Sequence, residues 1–86
     1  MEIIKVAATS NVNSVAGSIA LALGDNGHVF VQAIGANSIN QAVKAIATAR
    51  GFLAPKNLDL MCIPAYVELQ LAEGEKTGIK FEVRIK

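Results

Sequence analysis

The fold is decided by the stretch HVFVQAIGANSINQAVKAIATARG, residues 28–51, which contains a strand-to-helix transition. Its first part, residues 28–35, is a nearly continuous apolar run, as expected for a strand with both faces covered. The segment ANS (36–38) is typical of a helix start, and the residues after it predict a helix over about 39–52. Pro55 lies just beyond the predicted end of that helix. A buried strand followed by a helix is a building unit of two-layer folds.

The same strand–helix order precedes this stretch. The segment EIIKVAA (2–8) is rich in β-forming residues and predicts a first strand, and TSNVNS (9–14) is dense in helix-capping residues. Over about 13–23 the pattern predicts a helix that GDNG (24–27) ends. Its apolar residues recur at helical spacing and form one stripe: Val12, Val15, Ala16, Ile19 and Leu23.

Two strands are predicted after the second helix. The first is LDLMCIPAYVELQLA (58–72), in which Pro64 indicates a bulge or an edge position. The segment EGEKTG (73–78) predicts a hairpin turn. The last segment, IKFEVRIK (79–86), alternates strictly between apolar and charged residues, which predicts a strand with one buried and one wet face.

The element order is therefore β-α-β-α-β-β. Strand–helix–strand crossovers are right-handed in nearly all proteins, which places both helices on one face of the sheet. The final hairpin strand then fills the slot between the second and third strands. The prediction is a single-domain α/β two-layer sandwich (α+β) over 1–86, with a mixed four-stranded sheet of order 1-2-4-3.

In this topology three loops fall at one edge of the sheet: TSNVNS, IGANS and AEGEKTG. Two of them are helix N-termini, where free N–H groups and the positive end of the dipole favour anions. Lys44, about one turn inside the second helix, and Lys76, on the hairpin turn, are the nearest cations. The alternative explanation for the amides and hydroxyls is helix capping alone. The candidate ligand-binding residues are Asn11, Asn13, Ser14, Asn37, Ser38, Asn40, Lys44 and Lys76.

Composition narrows the function classes. The 86 residues are 52% hydrophobic and 17% charged, with a net charge of +1, which is far less basic than a dedicated chromatin protein. The sequence shows no catalytic constellation, cysteine cluster for zinc or GxxxxGK phosphate loop, so we expect no enzyme activity, cofactor or metal. A single cysteine, Cys62, and the lack of a signal-like start predict a cytoplasmic protein without a membrane segment.

Helix surfaces without charge predict self-association into a dimer or tetramer. No charged residue occurs from Val6 to Gly24, although a solvated helix face is usually charged. Arg50 is in line with Val43 and Ile46 on a stripe that should face the core. Its cation either interacts with the C-terminal end of the helix or contacts another subunit. The candidate interface residues are Gly17, Leu21, Ala45, Ala49 and Arg50.

Three segments together resemble the stage V sporulation protein S family: SNVNSVAGSIALAL (10–23), VQAIGANSINQAVKAIATARGFLAP (31–55) and LDLMCIPAY (58–66). More distantly they resemble the Alba superfamily of archaeal chromatin and RNA-binding proteins. The resemblance implies an Alba-like fold, a homodimer, and binding of DNA or RNA through the first βα loop, the second helix N-terminus and the hairpin. For the sporulation family it implies a regulatory role in spore development in bacteria.

The sequence departs from the Alba pattern in its charges. Alba proteins carry lysines in the first βα loop, whereas this loop has none, and Lys76 is flanked by Glu73 and Glu75. We therefore expect nucleic-acid binding that is modest and dependent on salt. The alternatives are a protein-interaction module of spore development that has lost nucleic-acid binding, and a binder of small ligands or nucleotides.

Overall fold

The computed structural model describes residues 2–86. Its elements are β1 (Ile3–Val6), α1 (Val12–Asn26), β2 (His28–Ala33), α2 (Ala36–Leu53), a 3-10 turn (Ala54–Lys56), β3 (Leu60–Leu71) and β4 (Gly74–Ile85). The sheet order is β1-β2-β4-β3, with β1 parallel to β2 and the other two pairings antiparallel. This confirms the predicted topology. Within residues 2–86, neither helix is long and apolar enough to cross a membrane.

One face of the sheet carries the core. Val29 pairs with Val83 and Val31 with Phe81, so these side chains share a face, and all four are almost inaccessible to solvent. They pack against Ile19 and Leu23 of α1, among other buried residues. The alternation of β4 was therefore interpreted correctly, and so was the apolar stripe of α1.

The core side of α2 consists mostly of alanine. Ala42, Ala45 and Ala49 are completely buried, and Ile46 is nearly so. Small side chains let α1 and α2 approach closely, which explains the alanine content of this helix. The predicted stripe of Val43, Ile46 and Arg50 is wrong as a core stripe because Val43 is 48% exposed.

Both helices extend beyond their predicted bounds. The first continues to Asn26 and ends at Gly27, whose left-handed backbone (φ 79°) lets its N–H donate to the Leu23 carbonyl. The second begins at Ala36, three residues before the prediction, with Gly35 at the capping position. Asn37 and Ser38 lie inside its first turn, so the predicted capping by ANS is wrong.

The hairpin is longer than predicted, and the predicted turn at 73–78 is wrong. The pairing of β3 with β4 continues without interruption from Leu60–Ile85 to Leu71–Gly74, which leaves a two-residue turn. Pro64 lies on an edge strand, and the pairing continues through it without a bulge. Of the two predicted alternatives, the edge position is therefore the correct one. The pairing of β4 with β2 ends at Ile79. Residues 67–78 therefore extend beyond the sheet as a two-stranded ribbon, called the arm below.

Gly78 sets the position of the arm. A Cβ atom at this residue would lie 2.7 Å from the Ala33 carbonyl oxygen and 3.0 Å from Cγ1 of Ile34. Glycine is required here because the arm crosses close to the end of β2. The crossing places the arm beside the ends of β1 and β2.

Candidate functional site

The ends of β1 and β2, the starts of both helices and the arm meet at one edge of the sheet, called the carboxyl edge below. The antiparallel register places the end of β2, Ala33, against Ile79 at the base of the arm. The Gln41 side chain of α2 donates a 2.9 Å hydrogen bond to the Ser10 carbonyl of the first βα loop. This bond holds the first loop against the second turn of α2.

The first βα loop uses much of its polar chemistry internally. The Asn11 side chain accepts a 2.9 Å hydrogen bond from the Ser14 N–H and caps α1. The Ser10 hydroxyl accepts a bond of the same length from the Ala7 N–H. Asn13 and Ser14 have exposed side chains in the first turn of α1. Capping therefore accounts for Asn11, and the loop presents no cation.

The N-terminus of α2 is built differently. Gly35 has no side chain to cap the helix, and the first helical hydrogen bond runs from the Ile39 N–H to the Gly35 carbonyl. The three preceding N–H groups of the helix have no intrahelical acceptor. Asn37 and Asn40 are exposed, and Ser38 is half-buried. This end of α2 thus offers backbone donors together with amide side chains.

The predicted lysines lie farther from the edge than expected. Lys44 is exposed but eight residues into α2, about 12 Å along the helix axis. Lys76 is exposed and pairs with Leu69, so it lies inside the arm and not in the turn. The arm also carries Glu68, Glu73 and Glu75, which gives it a net charge of −2.

The sheet face turned away from the helices, called the open face, carries the remaining charges of β4. Lys80 Nζ lies 4.7 Å from the centroid of the Phe30 ring. Arg84 Nε donates a 2.7 Å hydrogen bond to Glu82 Oε2. These two cations already have partners within the chain. Charges of both signs lie on this face, as the alternating pattern predicts.

A groove of about 400 Å³ crosses the carboxyl edge between the sheet and the arm, and we call it the edge groove. Lys5 and Gln32 line it and pair with each other across β1 and β2 on the open face. Ser38 of α2 lies on one side, and Leu69 and Leu71 of the arm, with Gln70 between them, form the other wall. Sequence reasoning missed Lys5 and Gln32. Alternation in β1 and β2 could have placed both side chains opposite the core.

A second, apolar groove runs between α2 and β3, and we call it the side groove. Its lining is aliphatic and aromatic apart from Cys62 and Arg50: Val43, Ile46, Ala47, Arg50, Leu60, Cys62, Pro64 and Phe81. Burial raises the pKa of the Cys62 thiol, which disfavours the reactive thiolate.

Arg50 is paired within the chain. Its guanidinium donates to both carboxylate oxygens of Asp59, at 2.6 and 3.1 Å, and joins the end of α2 to the start of β3. The hydrogen bonds from Arg50 and from the Leu60 N–H lower the pKa of Asp59 to about 2. The same partner raises the pKa of Arg50. The cation is thus accounted for without a second subunit.

Apart from Arg50, the predicted interface residues divide into two groups. Gly17 and Leu21 are exposed on the outer side of α1, where Leu21 is 67% accessible. Ala45 and Ala49 are completely buried inside the subunit. Because another subunit cannot reach these alanines, we leave them out of the proposed interface.

Comparison with known proteins gives two findings. The family model described as stage V sporulation protein S (SpoVS) matches residues 2–86. Among solved structures, Alba from Thermoplasma volcanium superposes with a TM-score of 0.63 at 18% sequence identity, covering 99% of this chain and 99% of that chain. At this identity the structural likeness shows that the fold is Alba-like.

Proposed function

The chain belongs to the stage V sporulation protein S family, and we propose that it is a regulatory protein of sporulation that binds nucleic acid as a homo-oligomer through the carboxyl edge. One observation carries the proposal. The N-terminus of α2 has no side-chain cap and lies at the same edge as a groove lined by Lys5 and Ser38. Free backbone N–H groups, a helix dipole and a lysine together favour a phosphate.

The charge at this edge is small, so the proposed binding is weak. Lys5 and Lys76 supply cations near the groove and on the arm, whereas three glutamates on the arm oppose them. Assembly of two subunits would bring two such edges to one polyanion and raise the overall affinity. Lys44 lies about 12 Å along α2 from its start, so we expect it to contribute less to binding.

A second copy of the chain is proposed to cover the side groove. Apart from Arg50 and Cys62 its lining is apolar, and Val43 within that lining is 48% exposed. A two-fold contact would place the side groove of one subunit against the side groove of the other and bury both grooves. Leu21 lies on the separate outer side of α1. Contact through both surfaces would give a tetramer, and contact through one would give a dimer.

A protein-interaction module is the second candidate function. It is favoured by the net charge of −2 on the arm, which repels a phosphate backbone and suits a basic protein surface. Such a module would bind its partner without the regular salt dependence of phosphate contacts.

The test compares two doubly substituted proteins with the same change in charge. Lys5→Glu with Lys76→Glu changes the carboxyl edge and the arm, whereas Lys56→Glu with Lys86→Glu changes exposed lysines outside both regions. The first pair should weaken binding and reduce the salt slope by about one for each lysine that contacts phosphate. Equal losses from both pairs would refute the assigned location, and no binding by the unaltered protein would favour the interaction module.

A further inference from the structure

Gln32 is a buried polar residue without a hydrogen-bonding partner for its side chain. It is 8% exposed, yet none of the side-chain hydrogen bonds within residues 2–86 involves its amide. Because leaving an amide unpaired in the interior costs free energy, an amide without a partner in the chain has to be paired by water or by a ligand. None of the described side chains has a fully enclosed polar atom without a partner, so the Gln32 amide keeps its access to solvent through the edge groove that it lines.

The other walls of the edge groove add apolar, cationic and hydrogen-bonding groups to the Gln32 amide. Leu69 and Leu71 make the arm side largely apolar, with the polar Gln70 between them. Lys5 adds a cation, and Ser38 lies in the uncapped first turn of α2. The volume of about 400 Å³ falls in the range of small-molecule sites. A ligand that satisfies all of these groups has a flat apolar face, a hydrogen-bonding edge and a negative charge.

A nucleotide has these three properties. The amide of glutamine offers a donor and an acceptor side by side, which matches the paired donor and acceptor of a base edge. Aliphatic side chains can cover the face of a base that has left its stack. The phosphate attached to that base would lie toward the lysine and the helix N-terminus.

We infer that the edge groove receives an unpaired nucleobase, with its hydrogen-bonding edge against Gln32, its face against the arm and its phosphate toward Lys5 and α2. This rests on the proposed function and makes it more specific, because a base in a duplex cannot enter the groove without leaving its stack. The preferred substrate class is therefore single-stranded nucleic acid, and a free nucleotide shares the same chemistry.

The test uses Gln32→Leu, which keeps the volume of the side chain and removes its hydrogen-bonding atoms. His28→Leu is the matched control, because His28 lies on the same strand and the same face but does not line the edge groove. Labelled single strands of DNA and RNA, their duplexes and adenosine monophosphate are titrated at low salt. Strands that contain abasic sites are titrated with the unaltered protein, and they measure how much the bases contribute to the affinity.

We expect single strands to bind more tightly than duplexes, and abasic strands to lose that advantage. Gln32→Leu should weaken single-strand binding at least about fivefold while His28→Leu leaves it unchanged. Binding of the monophosphate alone would extend the site to free nucleotides, and its absence would restrict the site to polymers.

Two results overturn the inference. If intact and abasic strands bind equally, or if Gln32→Leu binds like the unaltered protein, no base enters the groove. Either result leaves the proposed phosphate contacts untouched. If no nucleic acid binds to the unaltered protein, the proposed function itself fails and this inference fails with it.

Discussion

Replacing Gly78 with alanine tests how the arm is positioned. The added Cβ would lie 2.7 Å from the Ala33 carbonyl oxygen, a backbone atom that cannot rotate away, and 3.0 Å from Ile34 Cγ1. Relief of this overlap requires the arm to move away from the end of β2. That movement weakens the last β2–β4 pair, Ala33–Ile79, and opens the edge groove.

The expected cost follows from the severity of the overlap. Overpacking that shifts backbone costs about 1–3 kcal/mol, and each kcal/mol lowers the melting temperature of a domain of this size by about 4–8 °C. Thermal unfolding followed by circular dichroism at a fixed protein concentration measures the shift. Gly24→Ala is the control: nothing lies within 4 Å of a Cβ there, and its place in α1 predicts a gain of up to about 1 kcal/mol. If Gly78→Ala melts at or above the temperature of the unaltered protein, the account of the arm is refuted.

Three further outcomes are expected. The pKa of Asp59, about 2 in the folded chain, lies below its ordinary value of 3.8, so its stabilising contribution is present above about pH 4 and is lost as the pH falls toward 2. The melting temperature of Asp59→Asn should therefore fall less than that of the unaltered protein over this range, and an equal fall would contradict the role of the Arg50 pair. Val43→Glu should lower the particle mass measured by light scattering, because it puts a charge into the side groove. The proposed contact would be contradicted if the unaltered protein is a monomer or if Val43→Glu leaves the mass unchanged. Gln32→Leu should change the free energy of unfolding, measured by denaturant titration, by less than about 0.5 kcal/mol, because the Gln32 amide has no partner among the described residues and stays in contact with solvent; a loss of more than about 1 kcal/mol would show that the amide has a structural partner.

The topology could be predicted because a local sequence pattern and a general rule of chain handedness determine it. Alternation in residues 79–86 identified the buried face of β4, and the handedness of crossovers then placed both helices on that face. The end of α1 at a glycine was likewise visible in the sequence, within three residues. Such signals depend on neighbours along the chain, so a single sequence contains them.

The hairpin turn was mispredicted because two glycines with different roles looked alike. Gly74 lies next to the two-residue turn with a φ of 112°, whereas Gly78 lies within β4 and is required by the close approach of Ala33. That approach joins residues that are 45 positions apart in the sequence. Propensity along the chain contains no information about such a contact, and the position of Lys76 was misjudged as a consequence.

The candidate site could be predicted in outline but not in its chemistry. The meeting of both helix N-termini at one edge followed from the topology, and Gln41 now accounts for how the first loop is held to α2. The pairing of Arg50 with Asp59 depends on how the chain turns after α2, which the sequence does not reveal. The edge groove depends on the arm crossing β2, so the roles of Lys5 and Gln32 became visible with the structure.

The central claim, binding of nucleic acid through phosphate contacts at the carboxyl edge, is tested most directly by the salt dependence of the affinity. Single- and double-stranded DNA and RNA are titrated with the unaltered protein across a fourfold rise in salt. With about two to four phosphate contacts per subunit, the affinity should fall about 10- to 150-fold for duplex DNA and about 7- to 50-fold for single strands, with its logarithm linear in the logarithm of the salt concentration. An affinity that does not change with salt, or no binding at the lowest salt, would contradict the claim.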